Sequence, residues 1–116
     1  MRNKSLKKRC EKQMLPNFEG VCKTYDKLQT ATAIYLSQQT DIKNIRCNVE
    51  SFELEEKKYT SDFVYEKENG ESAVRECVFR NLLAKPLTVK LLDASRNFWL
   101  GRGITDWGIV IDEANE

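Results

Sequence analysis

The chain has 116 residues, 41% of them hydrophobic, with Lys+Arg 19 set against Asp+Glu 18. That length suits one domain with one core. No apolar run approaches the ~18–20 residues of a membrane span, and the basic N-terminus lacks the apolar stretch of a secretory signal. No contact with a membrane is expected. The chain holds four cysteines far apart in sequence and no histidine. Without a C-x-x-C pair or a histidine a structural zinc site is not expected, a Cys–His nucleophile pair within the chain is excluded, and a cytoplasmic protein with reduced thiols is expected.

Residues 1–20 lack a stable period and contain Pro16 and Gly20, so they read as a flexible arm before a single domain over 21–116. The arm carries Arg2, Lys4, Lys7, Lys8, Arg9 and Lys12 against Glu11 alone, whereas the C-terminus holds Asp112, Glu113 and Glu116. A basic arm suits a phosphate backbone; the competing reading is a solvated tail that serves only solubility.

Residues 24–39 predict a helix. Thr24 is the candidate N-cap, and Tyr25, Leu28, Ala31, Ile34 and Tyr35 form the apolar stripe. Ile45, Cys47, Val49, Phe52 and Leu54 then predict a strand over 42–54, with an irregularity before Phe52. Residues 57–80 predict a β-hairpin turning at Glu68-Asn69-Gly70-Glu71, because Asn and Gly accept positive φ. Pro86 suits the first position of a helix, where its missing N–H is not needed. Leu87, Leu91, Leu92, Ala94 and Phe98 would supply that helix's apolar stripe, and Gly101 and Gly103 its end. The run Ile109-Val110-Ile111 predicts a last strand over 104–112, buried on both faces. Trp99 and Trp107 read as core or interface anchors, and Cys77 as a buried structural thiol. The expected fold is α/β: a small mixed sheet flanked by helices, in the order α-β-β-β-α-β.

The hairpin carries an acid near the middle of each arm, Asp62 and Glu76. A carboxyl group inside an apolar strand is costly unless something pairs with it. Two on adjacent strands can share a divalent cation, provided that they face each other. A two-residue turn at Asn69-Gly70 puts Asp62 opposite Cys77 and sends the two acids to opposite faces. A three-residue loop centred on Asn69, with Gly70 in a bulge, puts Asp62 opposite Glu76. The plainer alternative pairs Glu76 with Lys57, Lys58 or Arg75 at a sheet surface.

This order, with acids on the second and third strands, resembles the restriction-endonuclease-like fold of the PD-(D/E)xK nucleases. The closer resemblance is to the N-terminal domain of the TnsA family of transposon endonucleases. KYTSDFVY is similar to that family's Y-T-P-D-F strand, with Ser61 in place of Pro, and VRECVFR to its Glu-x-Lys strand. SRNFWLGRGITDWGIVID is similar to its segment of aromatic, basic-Gly and W-x-I-V residues, and LQTATAIYLSQQTDI to its first helix. The resemblance covers roughly residues 28–112 and implies a prokaryotic mobile element or phage.

What the resemblance implies is Mg²⁺- or Mn²⁺-dependent cleavage of DNA phosphodiesters, within a transposition system that includes a transposase subunit. Asp62 and Glu76 would hold the metal, which acidifies bound water and neutralises developing charge. Two positions depart from the family pattern. Gln29 stands where the family carries a metal-binding Glu, and Val78 where it carries the Lys. Arg80, about 7 Å further along the same strand face, is the candidate replacement cation. Lys85 and Lys90 are further candidates, and with Arg96 and Arg102 they form the expected DNA-binding set. These departures favour an alternative: a nuclease-fold module without cleavage that binds DNA or a transposase partner. A protein-contact module is a third reading.

Overall fold

The computed structural model describes residues 2–3 and 9–113. Lys4, Lys7 and Lys8 of the expected basic arm, and Glu116 of the acidic terminus, lie outside the described residues. The architecture is a compact α/β arrangement of one mixed sheet and two helices. Five strands form the sheet: β1 (Arg2–Asn3), β4 (Ile42–Leu54), β5 (Lys57–Lys67), β6 (Ser72–Cys77) and β7 (Asp106–Val110). A separate ribbon pairs β2 (Glu11–Gln13) with β3 (Cys22–Thr24). β5 is the spine of the sheet. β4 pairs antiparallel along one side of it; on the other side β6 takes residues 63–66 and β1 takes residues 59–60. β7 then adds parallel to β6.

Alternation along β5 divides the core in two. Phe63 and Tyr65 face α1 (Lys27–Ser37) and pack with Ala33, Leu36, Ile42 and Ile45. Val64, with Val74 of β6, faces α2 (Pro86–Leu100) and packs on Trp99. The helices thus cover opposite faces of the sheet.

Five expectations need correcting. The cap of α1 is Asp26, whose carboxyl accepts the Gln29 N–H at 2.8 Å. Thr24 instead ends β3, and its hydroxyl lies 2.7 Å from that of Thr30. The stripe of α2 is rotated by one residue: Leu92, Ser95 and Trp99 are buried, whereas Leu87 is 58% exposed. Trp99 sets this rotation by donating its indole N–H to Ser61 across the sheet at 2.8 Å. Gly101 ends α2 in right-handed geometry; the left-handed residue is Gly103, at φ +82.

The strand expected to be buried on both faces is an edge strand, with Ile109 41% exposed, because among the described residues β7 has a partner only in β6. The stretch expected as a loose arm is ordered in part. Asn17 and Glu19 bond to both backbone groups of Ile45 and cover the outer edge of β4, while Phe18 meets Phe63 edge-to-face at 6.3 Å. Asn17 at φ 67 and Gly20 at φ 73 make the bends that aperiodic sequence concealed.

Candidate functional site

The hairpin turn decides the site. Lys67 N–H bonds to Glu71 O, Gly70 N–H to Lys67 O, and Gly70 lies at φ +88. Residues 68–70 therefore form a three-residue loop with a left-handed glycine, which only a residue without Cβ adopts cheaply. The side chain of Asn69 stiffens the loop by accepting Glu71 N–H at 2.9 Å. The resulting register pairs Phe63 with Arg75 and Val64 with Val74. Carried on by one pair, it places Asp62 opposite Glu76.

At that point the two strands stop bonding backbone to backbone, and the acids take over. Asp62 N–H donates to Glu76 Oε1 at 2.8 Å, and Cys77 N–H donates to Asp62 Oδ2 at 2.7 Å. Glu76 thereby occupies the interval on β5 between the residues paired to β1 and those paired to β6. The other two oxygens reach the helices. Gln29 Nε2 of α1 donates to Asp62 Oδ1 at 3.1 Å, and Ser95 Oγ of α2 donates to Glu76 Oε2 at 2.5 Å.

The network extends past both acids. Gln29 Nε2 also donates to Asn48 Oδ1 at 3.1 Å, and Asn48 Nδ2 donates to Lys23 O of β3 at 2.7 Å. Asn48 adopts φ 52, a left-handed position that Asn tolerates better than most residues, within β4. At the far end Trp107 Nε1 of β7 donates to Ser95 Oγ at 3.0 Å. One polar seam thus runs from β3 through β4, α1, β5, β6 and α2 to β7. Gln29, Ser61, Glu76 and Ser95 are 0% exposed and Asp62 1%. Acids so deeply buried are tolerable because each oxygen accepts a hydrogen bond.

Of the residues expected at the site, Asp62, Glu76 and Gln29 come together. The cations stand elsewhere. Arg80 donates its backbone N–H to Asp112 Oδ1 and its guanidinium to Asp112 O at 3.1 Å, on the exposed side. Val78 is buried. Lys90 forms an exposed ion pair with Glu55 at 2.7 Å, of a kind worth little. Arg102 stacks over Phe98 with its guanidinium carbon 4.2 Å from the ring centre. Lys85 and Arg96 are exposed on or beside α2.

Arg75, considered as a partner for Glu76, instead pairs with Asp106 at 2.8 Å; Lys67 takes the other Asp106 oxygen at 2.8 Å. The Lys67 hydrogen bond, ahead of Arg75, holds the Asp106 carboxyl below its ordinary range. Beside the acids, burial and then the nearby Asp62 push the Cys77 thiol up to about 12. Sequence reasoning missed Asn48, Ser95 and Trp107, which carry the seam to its two ends; no periodicity distinguishes them.

A magnesium ion needs outward oxygen lone pairs in a near-octahedral array. Here all four acid oxygens accept protein N–H or O–H groups, two of them from backbone. Gln29 turns its NH₂ toward Asp62, and its amide oxygen accepts Tyr25 N–H at 2.8 Å. Among the described residues no three His, Cys, Asp or Glu groups cluster to hold a metal. As arranged, the site does not fit Mg²⁺. The acids also lie away from an apolar groove of about 650 Å³ between α1 and β7, lined by Leu28, Tyr35, Leu36, Phe79 and Val110 among others. No protein-family model matches the chain, and no curated protein matches it.

Proposed function

We propose that this chain is a module of restriction-endonuclease-like, TnsA-like fold that binds DNA without cutting it. The observation that carries this reading is the burial of both acids, each of whose oxygens accepts a hydrogen bond from the protein. Phosphodiester cleavage needs a metal or a base with a lone pair aimed at water. Asp62 and Glu76 spend their oxygens on Gln29, Cys77, Asp62 N–H and Ser95, out of reach of solvent. The acid pair then acts as a strut, completing the β5–β6 ladder where backbone bonding stops and tying both helices to the sheet. Binding would fall to exposed cations, with Lys85, Arg96 and Arg102 beside α2 as candidates, through phosphate charge rather than base edges.

A second reading, a Mg²⁺- or Mn²⁺-dependent endonuclease of a transposition system, is the one the resemblance implies, and it is favoured by Gln29, Asp62 and Glu76 lying in one hydrogen-bonded network. The test is a pair of assays on the full chain. A labelled duplex should bind with affinity that falls steeply as salt rises, and supercoiled plasmid should stay intact in millimolar Mg²⁺ or Mn²⁺. Metal-dependent nicking that Asp62→Asn abolishes would establish the endonuclease reading instead. Neither binding nor nicking would leave a protein contact, such as a transposase partner, as the role.

A further inference from the structure

A second constellation stands at the β3 end of the seam, apart from the acids. Cys47 of β4 accepts the Lys23 N–H at 3.4 Å and donates its thiol to Val21 O at 3.8 Å, so its sulfur rests against the backbone on both sides of Cys22. The Cys22 side chain sits in the α1-side core, 1% exposed, and Cys47 packs against that same cluster while remaining half-buried. We propose that Cys47 and Cys22 form a reactive dithiol, which a hydroperoxide oxidises to an intramolecular disulfide fastening β3 to β4.

The two sulfurs have different surroundings, and these divide the roles. Lys23 N–H donates to Cys47, and the neighbouring Cys22 thiol, ahead of Lys23 and Asn48, favours the charged form of Cys47. Together they outweigh burial and bring the Cys47 thiol down to about 6, which favours its thiolate form over that of an ordinary cysteine. Cys47 in turn, and then burial, push the Cys22 thiol up, and it keeps its proton. Cys47 is thus the attacking sulfur, open to a small molecule, and Cys22 the resolving one.

The Cys47 thiolate attacks the terminal oxygen of the hydroperoxide. The O–O bond breaks, the alkoxide leaves and takes up a proton from water, and Cys47 becomes a sulfenic acid. The Cys22 sulfur then attacks the Cys47 sulfur. The S–O bond breaks, and the Cys22 proton leaves with the hydroxide as water. Two thiols give up two electrons and the peroxide accepts them. The bond would lock the segment leading into the Asp26 cap and Gln29, next to Asn48, and hence one end of the seam. This site is independent of whether the acids bind metal or the module binds DNA.

The full chain treated with hydrogen peroxide tests the proposal. The wild type should lose about 2 Da, the mass of two hydrogens, and yield a linked Cys22–Cys47 peptide. Cys22→Ser should stop at a sulfenic acid on Cys47, trapped by dimedone, and Cys47→Ser should give neither product. A measurement without any variant runs beside it. In limiting iodoacetamide at pH 7, Cys47 should be alkylated at least about tenfold faster than Cys10 or Cys77, with its rate half-maximal near pH 6. Alkylation of Cys47 no faster than of Cys10, or oxidation that links Cys10 or joins separate chains instead, would overturn it.

Discussion

Replacing Asp62 with Asn separates a structural strut from a catalytic pair. Asp62 accepts from Gln29 Nε2 through one oxygen and from Cys77 N–H through the other, and the residue is 1% exposed. Asn has the same shape but offers one acceptor where two are needed. Its NH₂ must face either Gln29 or Cys77, donor against donor. One buried N–H of the protein and the new NH₂ then go unsatisfied, each costing about 1–3 kcal/mol. The predicted loss is about 2–5 kcal/mol. A chain of this length is expected to hold roughly 6–17 kcal/mol in all, so the variant should fold but melt early. Urea unfolding followed by tryptophan fluorescence reads this directly, because Trp99 is buried with its indole bonded to Ser61. With a slope of about 1–3 kcal/mol/M, the midpoint should fall by roughly 0.7–5 M. Two acids poised for metal behave in the opposite way: without the ion they repel each other, and neutralising one stabilises the fold. An Asp62→Asn midpoint equal to or above that of the wild type would refute the strut.

Gln29→Glu puts a carboxyl oxygen where Nε2 now donates to Asp62 and Asn48, and should cost about 2–4 kcal/mol without metal. Millimolar Mn²⁺ should then raise the thermal midpoint of the variant and leave the wild type unchanged; an equal rise in both would show that the native donor set already accepts the ion. Gly70→Ala should cost about 1 kcal/mol in urea. A Cβ there meets nothing within 4 Å, so the cost comes from the positive φ, and no loss would mean that the loop is not held left-handed. Stability should decline with pH because of Cys77. Its thiol is raised from 9.0 to about 12 by burial, so the folded chain keeps a proton that the unfolded chain has lost. That contribution is complete below pH 9 and disappears between pH 9 and 12. Cys77→Ala should flatten the decline over that window, and an unchanged slope would contradict the shift.

The residues announced a good deal. The β4 bounds, Pro86 opening α2, the hairpin and its two acids all follow from local rules: φ preferences at Pro, Asn and Gly, and alternation along a strand. The choice between a two-residue and a three-residue turn did not follow, because Asn69-Gly70 satisfies both. Only the Lys67–Glu71 bond and the left-handed Gly70 selected the register that brings Asp62 to Glu76. Phe18 looked like part of a tail because its partner Phe63 is distant in sequence, and β7 looked fully buried because apolar runs do not show which strand ends a sheet. By itself, then, the sequence determined the two helices, the strands from residue 42 onward and the two acids at the centre of the hairpin. Tertiary structure decided which groups those acids meet. The fate of a buried carboxyl depends on which donors the packed helices bring to it, and Gln29, Ser95 and the Cys77 N–H carry no mark of that in the chain.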